Sequence, residues 1–177
     1  MVARVWQMNT MMRQFSAVLI AIMFLLGLGQ AVDARPKSDP AVFRFPAPPS
    51  YAKAAHVMQL ARKGDVRAQA YLGYMYQTGR GVPQHYDKAA YWYAVAADNG
   101  DGNAQFALGL LYNKGHGVPQ DVILAYKWLN LSASQSEGEA RDFKVRMRDA
   151  IAFKMSVAQL ETAQQLARDW YRGVRLR

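Results

Sequence analysis

A chain of 177 residues without a cysteine, with 22 lysines and arginines against 13 aspartates and glutamates, carries a formal net charge of +9. The missing thiols exclude structural disulfides and lipid attachment at a lipobox. The basic excess points toward anionic surfaces or an acidic partner.

Arg4 and Arg13 precede an uncharged run from Phe15 to Gly29, and Val32-Asp33-Ala34 offers small residues where a signal peptidase reads. Residues 1–34 are therefore expected to be a secretory signal peptide cut after Ala34, which places the mature chain in the periplasm or outside the cell. The apolar run of 15 residues is short for a membrane span, which takes ~20, so no transmembrane span is expected in the mature form. Retention of the segment as an anchor is the alternative, and Met8, Met11 and Met12 leave the start codon open. Export also separates the chain from nucleic acid, which is not expected as a partner despite the charge. Pro36, Pro40, Pro46, Pro48 and Pro49 make residues 35–50 an extended linker.

The helical part, 51–177, begins with Tyr51 to Lys63, where Ala54, Val57, Met58 and Ala61 at helical spacing read as the second helix of an incomplete unit. Two stretches then repeat at a shift of 36 residues, 64–99 and 100–135, with matches such as Ala68/Ala104, Gln69/Gln105, Leu72/Leu108, Gly73/Gly109, Tyr76/Tyr112, Gly81/Gly117, Pro83/Pro119, Gln84/Gln120 and Trp92/Trp128. Every match is a packing or turn position. Ala68, Leu72 and Tyr76 form one apolar stripe on a first helix, Gly79 and Gly81 stop it, and Pro83 blocks its continuation. Ala89, Trp92 and Ala96 mark one face of a second helix that ends at Gly100. Gly73 and Gly109 inside first helices each cost ~1 kcal/mol against alanine, so the repeated cost implies close approach of a partner helix. Each unit is an antiparallel hairpin that cannot bury its own apolar face, and stacking completes the core.

The runs A-Q-x-x-L-G-x-x-Y at Ala68–Tyr76 and Ala104–Tyr112, then G-x-G-V-P-Q at Gly79–Gln84 and Gly115–Gln120, then A-x-x-W, resemble the Sel-one-like repeat family, a relative of the tetratricopeptide repeat. The resemblance implies an all-α solenoid of stacked antiparallel hairpins that scaffolds or regulates envelope processes by occupying a partner without chemistry. Residues 136–172 are expected to be a divergent cap: Ala140, Phe143, Met147 and Ile151 continue the first-helix stripe, and Ser156-x-x-Gln159 is a capping box opening a last helix with Leu160, Ala163, Ala167 and Trp170 on one face.

Catalytic signals are thin. His56, His85 and His116 show no paired metal-ligand spacing, and the two G-x-G turns follow helices and lack a third glycine, so no metal, nucleotide or other cofactor is expected. Ser50-Tyr51-Ala52-Lys53 matches S-x-x-K of penicillin-recognising enzymes, but no S-D-N or K-T-G accompanies it, and Ser50 reads better as a helix N-cap. A surface remains. Arg67/Asn103, Tyr74/Leu110 and Gln77/Asn113, with Phe106 opposite Ala70, differ between the units and share one face of the first helices. Arg67, Tyr74, Gln77, Asn103, Phe106, Leu110 and Asn113 are accordingly the expected site for a protein or peptide partner, and the alternative for Tyr74, Phe106 and Leu110 is packing against neighbouring helices. Two other classes stay in view, a structural component held by charge to peptidoglycan or anionic lipid and a β-lactam hydrolase acting through Ser50. The basic tail Arg168, Arg172, Arg175 and Arg177 beside Trp170 and Tyr171 reads as a solvated helix end complementing the helix dipole, with contact to an anionic envelope surface as the alternative.

Overall fold

The computed structural model describes residues 54–175, and these form seven helices, with no strand among the described residues. In chain order they are α1 (Ala54–Arg62), α2 (Val66–Thr78), α3 (Tyr86–Asp98), α4 (Gly102–Lys114), α5 (Val122–Ser134), α6 (Gly138–Ala152) and α7 (Val157–Arg175). The signal-peptide and linker readings, Ser50 and the S-x-x-K match all lie outside the described residues.

Side-chain chemistry fixes where the helices begin. Asp65, Asp101 and Asp121 sit in extended backbone before α2, α4 and α5, and their carboxylates accept from the amides of Ala68 at 2.8 Å, Ala104 at 2.7 Å and Leu124 at 2.9 Å. Each cap satisfies amides that have no partner inside the helix. At the other end Gly79 and Gly115 take left-handed backbone, φ 72° and 68°, and donate their amides to the carbonyls of Met75 and Leu111. The repeated V-P-Q turn then ties the reversal down. The amides of His85 and Asp121 donate back to the carbonyls of Tyr76 and Tyr112, and the side chains of Gln84 and Gln120 donate to the carbonyls of Gln77 and Asn113, both at 2.7 Å. The glutamine of the motif is thus a helix-end plug.

Within a hairpin the two helices touch where the first carries glycine. A Cβ on Gly73 would stand 2.7 Å from the Tyr93 ring, and one on Gly109 2.9 Å from Leu129. The close approach expected from the repeated glycine is therefore made by a large side chain of the second helix. Between hairpins the buried Gln69 and Gln105 donate Nε2 to the carbonyls of Ala61 at 3.1 Å and Ala97 at 3.2 Å, joining each unit to the last turn of the helix before it. The second joint is completed by Gln135, which donates to Gln105 Oε1 at 3.0 Å. In the first joint the equivalent position is Asn99, whose shorter amide donates to Val95 instead, and Gln69 Oε1 is left buried without a hydrogen bond. An orphaned acceptor of this kind costs about 1–3 kcal/mol, so the first joint is the weaker one.

Three apolar clusters follow the stacking: Val57, Ala61, Ala68 and Leu72 between α1 and α2; Tyr93, Ala97, Leu108 and Trp128 in the middle; Phe106, Leu129, Ile151 and Ala163 at the C-terminal end. Both α6 and α7 pack on α5. The capping box forms as expected, the Ser156 amide donating to Gln159 Oε1 at 2.9 Å and the Gln159 amide to Ser156 Oγ at 3.3 Å. Ala163 and Ala167 are buried, and Trp170 stands edge-on to Trp128 with ring centroids 6.4 Å apart. Equivalence in the repeat does not give equal burial to the tryptophans. Trp128 is 5% exposed, whereas Trp92 leans on the smaller first cluster and is half-buried.

Candidate partner-binding face

The differing positions of the two repeats are not all surface. Arg67 is exposed on α2, with Tyr74 and Gln77 half-buried after it; Asn103, Leu110 and Asn113 are half-buried on α4. Phe106 is 1% exposed, with its ring 5.8 Å from Phe143 of α6. It leaves the expected face for a physical reason: the third unit covers that edge of α4, so packing decides it. Leu110 also leans on the third cluster. Tyr74 has the Tyr71 ring 6.0 Å away and the Arg80 guanidinium 5.6 Å from its centroid. Gln77 accepts from the Tyr93 hydroxyl at 2.7 Å, which orients its amide from below. The remaining six residues offer a guanidinium, a phenol, three amides and an aliphatic chain, the mixture that interface cores and rims use.

The sequence reading passed over Lys144, and the 36-residue register is the signal that finds it. Leu72 and Leu108 are followed in that series by Lys144, which is only 4% exposed. Its ammonium donates to Ser136 Oγ at 2.9 Å and lies 5.8 Å from the Phe106 ring centroid. Ser136 in turn donates to the carbonyl of Ser132 in the last turn of α5, so the charge sits at the negative end of that helix. Burial lowers the Lys144 pKa, and the field of Asp101 partly opposes this. Burial likewise lowers that of Lys127, whose ammonium stands 3.9 Å from the Trp128 ring centroid.

Lys144→Met is therefore expected to stabilise the fold by ~1–2 kcal/mol at neutral pH, since a buried cation gives way to an apolar chain of similar shape. A folded pKa below the unfolded one means that the unfolded chain binds more protons between the two values. The parent should gain stability as pH rises through the folded value toward the ordinary lysine range, and the variant should gain less. Urea melts across that range check both statements. A destabilised variant would show that the hydrogen bond to Ser136 and the α5 carbonyls outweigh burial.

The histidines do not converge. His56, His85 and His116 are all exposed, with His85 Nδ1 3.9 Å from Asp87 and the His116 ring 4.9 Å from that of Tyr86. Among the described residues no group of three or more His, Asp or Glu side chains is placed to hold a metal ion. Trp170 and Tyr171 turn inward, onto Trp128 and the Ser134 hydroxyl, so the expected aromatic flank of the basic tail belongs to the core. Arg168 binds Gln165 and Arg172 lies 3.6 Å from Asp169.

Stacked antiparallel hairpins with glycine-mediated contacts inside each unit and glutamine staples between units define an α-solenoid. Residues 66–101 and 102–137 each match the family described as Sel1 repeat, and the chain belongs to that family. It is similar to c5321, a protective antigen present in uropathogenic Escherichia coli strains displaying an SLR fold, with 29% identity and a TM-score of 0.61 over 66% of this chain and 24% of that one. It is also similar to a Sel1 repeat protein from Oxalobacter formigenes, with 39% identity and a TM-score of 0.47 over 51% of this chain and 68% of that one. The chain thus spans about a quarter of the length of c5321. No curated protein matches it. Family membership suggests a protein–protein interaction scaffold, in a family whose members are generally non-catalytic.

Proposed function

We propose that the chain is an exported, non-catalytic adaptor that holds a protein or peptide partner against the first-helix face of its repeats and acts in regulation or assembly of the bacterial envelope. The observation that carries this reading is the contrast between the two classes of repeat position. Matching positions are spent on caps, turns and core, while Arg67, Tyr74, Gln77, Asn103, Leu110 and Asn113 differ between units and keep access to solvent. The basic start, apolar run and small residues of 1–34 support export.

Crosslinked capture from envelope extract tests the face. Arg67→Glu and Tyr74→Ser are each expected to lose the captured partner; Arg67→Glu should melt as the parent does, an exposed change costing under ~0.5 kcal/mol. Unchanged capture by both variants would remove this face. Export has its own test, a mature chain starting at Arg35 in the periplasmic fraction, and full-length chain resisting salt wash in the membrane pellet would overturn it.

A further inference from the structure

We propose that the corner between α6 and α7 is a contact site for an anionic lipid bilayer. Phe153 is 91% exposed and Val157 74%, the highest values among the large hydrophobic residues described. Their neighbours Ile151 and Met155 pack on the third cluster, which leaves Phe153 and Val157 facing outward at the corner. Lys154 is exposed between them, and Ala150 through Leu160 reads AIAFKMSVAQL, with that lysine as its one charge. The nearest carboxylate before the corner, Asp149, is held by Arg148 at 2.7 Å, and the nearest after it, Glu161, lies a turn into α7.

The backbone suits an apolar surrounding as well. The amides of Phe153, Lys154 and Met155 donate to the carbonyls of Asp149, Ile151 and Ala152 at 2.9, 2.9 and 3.0 Å, and that of Ser156 to Gln159 Oε1. The four consecutive amides from Phe153 to Ser156 therefore lose no water partner on entering the headgroup region. Two side chains are far too little for a stable dimer, which buries about 1,200–2,000 Å² in total. Insertion between lipid headgroups needs no complementary partner surface. An apolar tip alone binds weakly, and positive charge is the second signal that makes peripheral binding useful; Lys154 and the chain's charge of +9 supply it toward anionic headgroups. The inference rests on the exported reading only for where the chain meets such lipid, and vesicle binding is measured without export.

The absence of cysteine from the chain gives a clean probe. Full-length Val157→Cys, labelled with an environment-sensitive dye, is mixed with phosphatidylcholine vesicles with and without phosphatidylglycerol, and Lys63→Cys at the opposite end of the described array is the control. The dye at position 157 should shift blue on the anionic vesicles and be quenched by brominated acyl chains, while the dye at 63 stays aqueous. Phe153→Ser in the labelled chain should weaken partitioning about tenfold or more, the loss expected for withdrawing a large apolar side chain. Lys154→Glu and added salt should weaken it several-fold. Thermal melts of both variants should match the parent. An aqueous dye at 157 on anionic vesicles, or equal responses at 63 and 157, would overturn the proposal. So would a blue shift that follows protein concentration without vesicles, which would mark a second copy as the occupant. Each of these outcomes leaves partner capture by the first-helix face standing or falling on its own.

Discussion

Gly117→Ala is expected to cost the domain ~3 kcal/mol or more, about twice the loss from the same change at Gly81, its counterpart in the preceding repeat. Both glycines have positive φ, 76° at Gly81 and 70° at Gly117, so alanine at either pays the left-handed strain of about 1–2 kcal/mol. The surroundings then separate them. A Cβ on Gly81 would meet the terminal methyl of Met75 at 3.0 Å and the Ala54 side chain at 3.7 Å, and a methionine tip can swing aside. A Cβ on Gly117 would fall on the carbonyl of Tyr86 and the amide of Asp87, main-chain atoms in the first turn of α3. Main chain has no rotamer to change, so the second unit's turn must lift off α3 and take the His116–Tyr86 ring contact with it. Urea melts of the two variants measure the difference. Equal losses would mean that the turn of the second unit does not rest on α3 in solution.

Turns and stacking order were the legible part of the chain because they depend on residues with few alternatives. Glycine at the helix ends, the V-P-Q reversal and the Ser156–Gln159 box are local devices, and each forms where spacing puts it. The accessible face was legible only in part. A spacing of three and four residues identifies one side of a helix, but the first helices of a solenoid are covered from three directions. Phe106 shows the consequence, since the helix that buries it, α6, comes from the stretch where the repeat has decayed. The partners of Gly73 and Gly109 were hidden for a related reason: Tyr93 and Leu129 fill the same role with different side chains, so matching letters did not mark them. Lys144 was hidden by type, a lysine where the register asks for leucine. Phe153 and Val157 lie off both apolar stripes, that of Ile151 and that of Leu160, so helical spacing said nothing of their exposure.

Trp128→Ala is expected to cost ~3–5 kcal/mol, the range for truncating a large buried aromatic residue. That is enough to unfold much of a short array, since a single domain of this kind holds about 5–15 kcal/mol in all. Trp92→Ala should cost less than half as much. The repeat places the two rings at equivalent points on α3 and α5, and a reading from sequence treats them alike. Trp128, however, has Trp170 of α7 edge-on to one side and the Lys127 ammonium 3.9 Å from its centroid, and it is built into the cluster of Tyr93, Leu108 and Leu131. Its loss opens a cavity that three successive units line, and rigid helices on every side limit collapse into it. Trp92 has Tyr91 5.2 Å away on the surface and only the first cluster beneath, so solvent fills what alanine vacates and the cavity cost is small. Denaturant melts followed by circular dichroism give both values without relying on the tryptophans as reporters. The sharper readout is hydrogen exchange in α7. Trp128→Ala should release protection of the Trp170 turn, because that helix rests on the missing ring, whereas Trp92→Ala should leave it unchanged. Equal melting losses with α7 protected in both would mean that α7 is held by Ala163 and Ala167 alone.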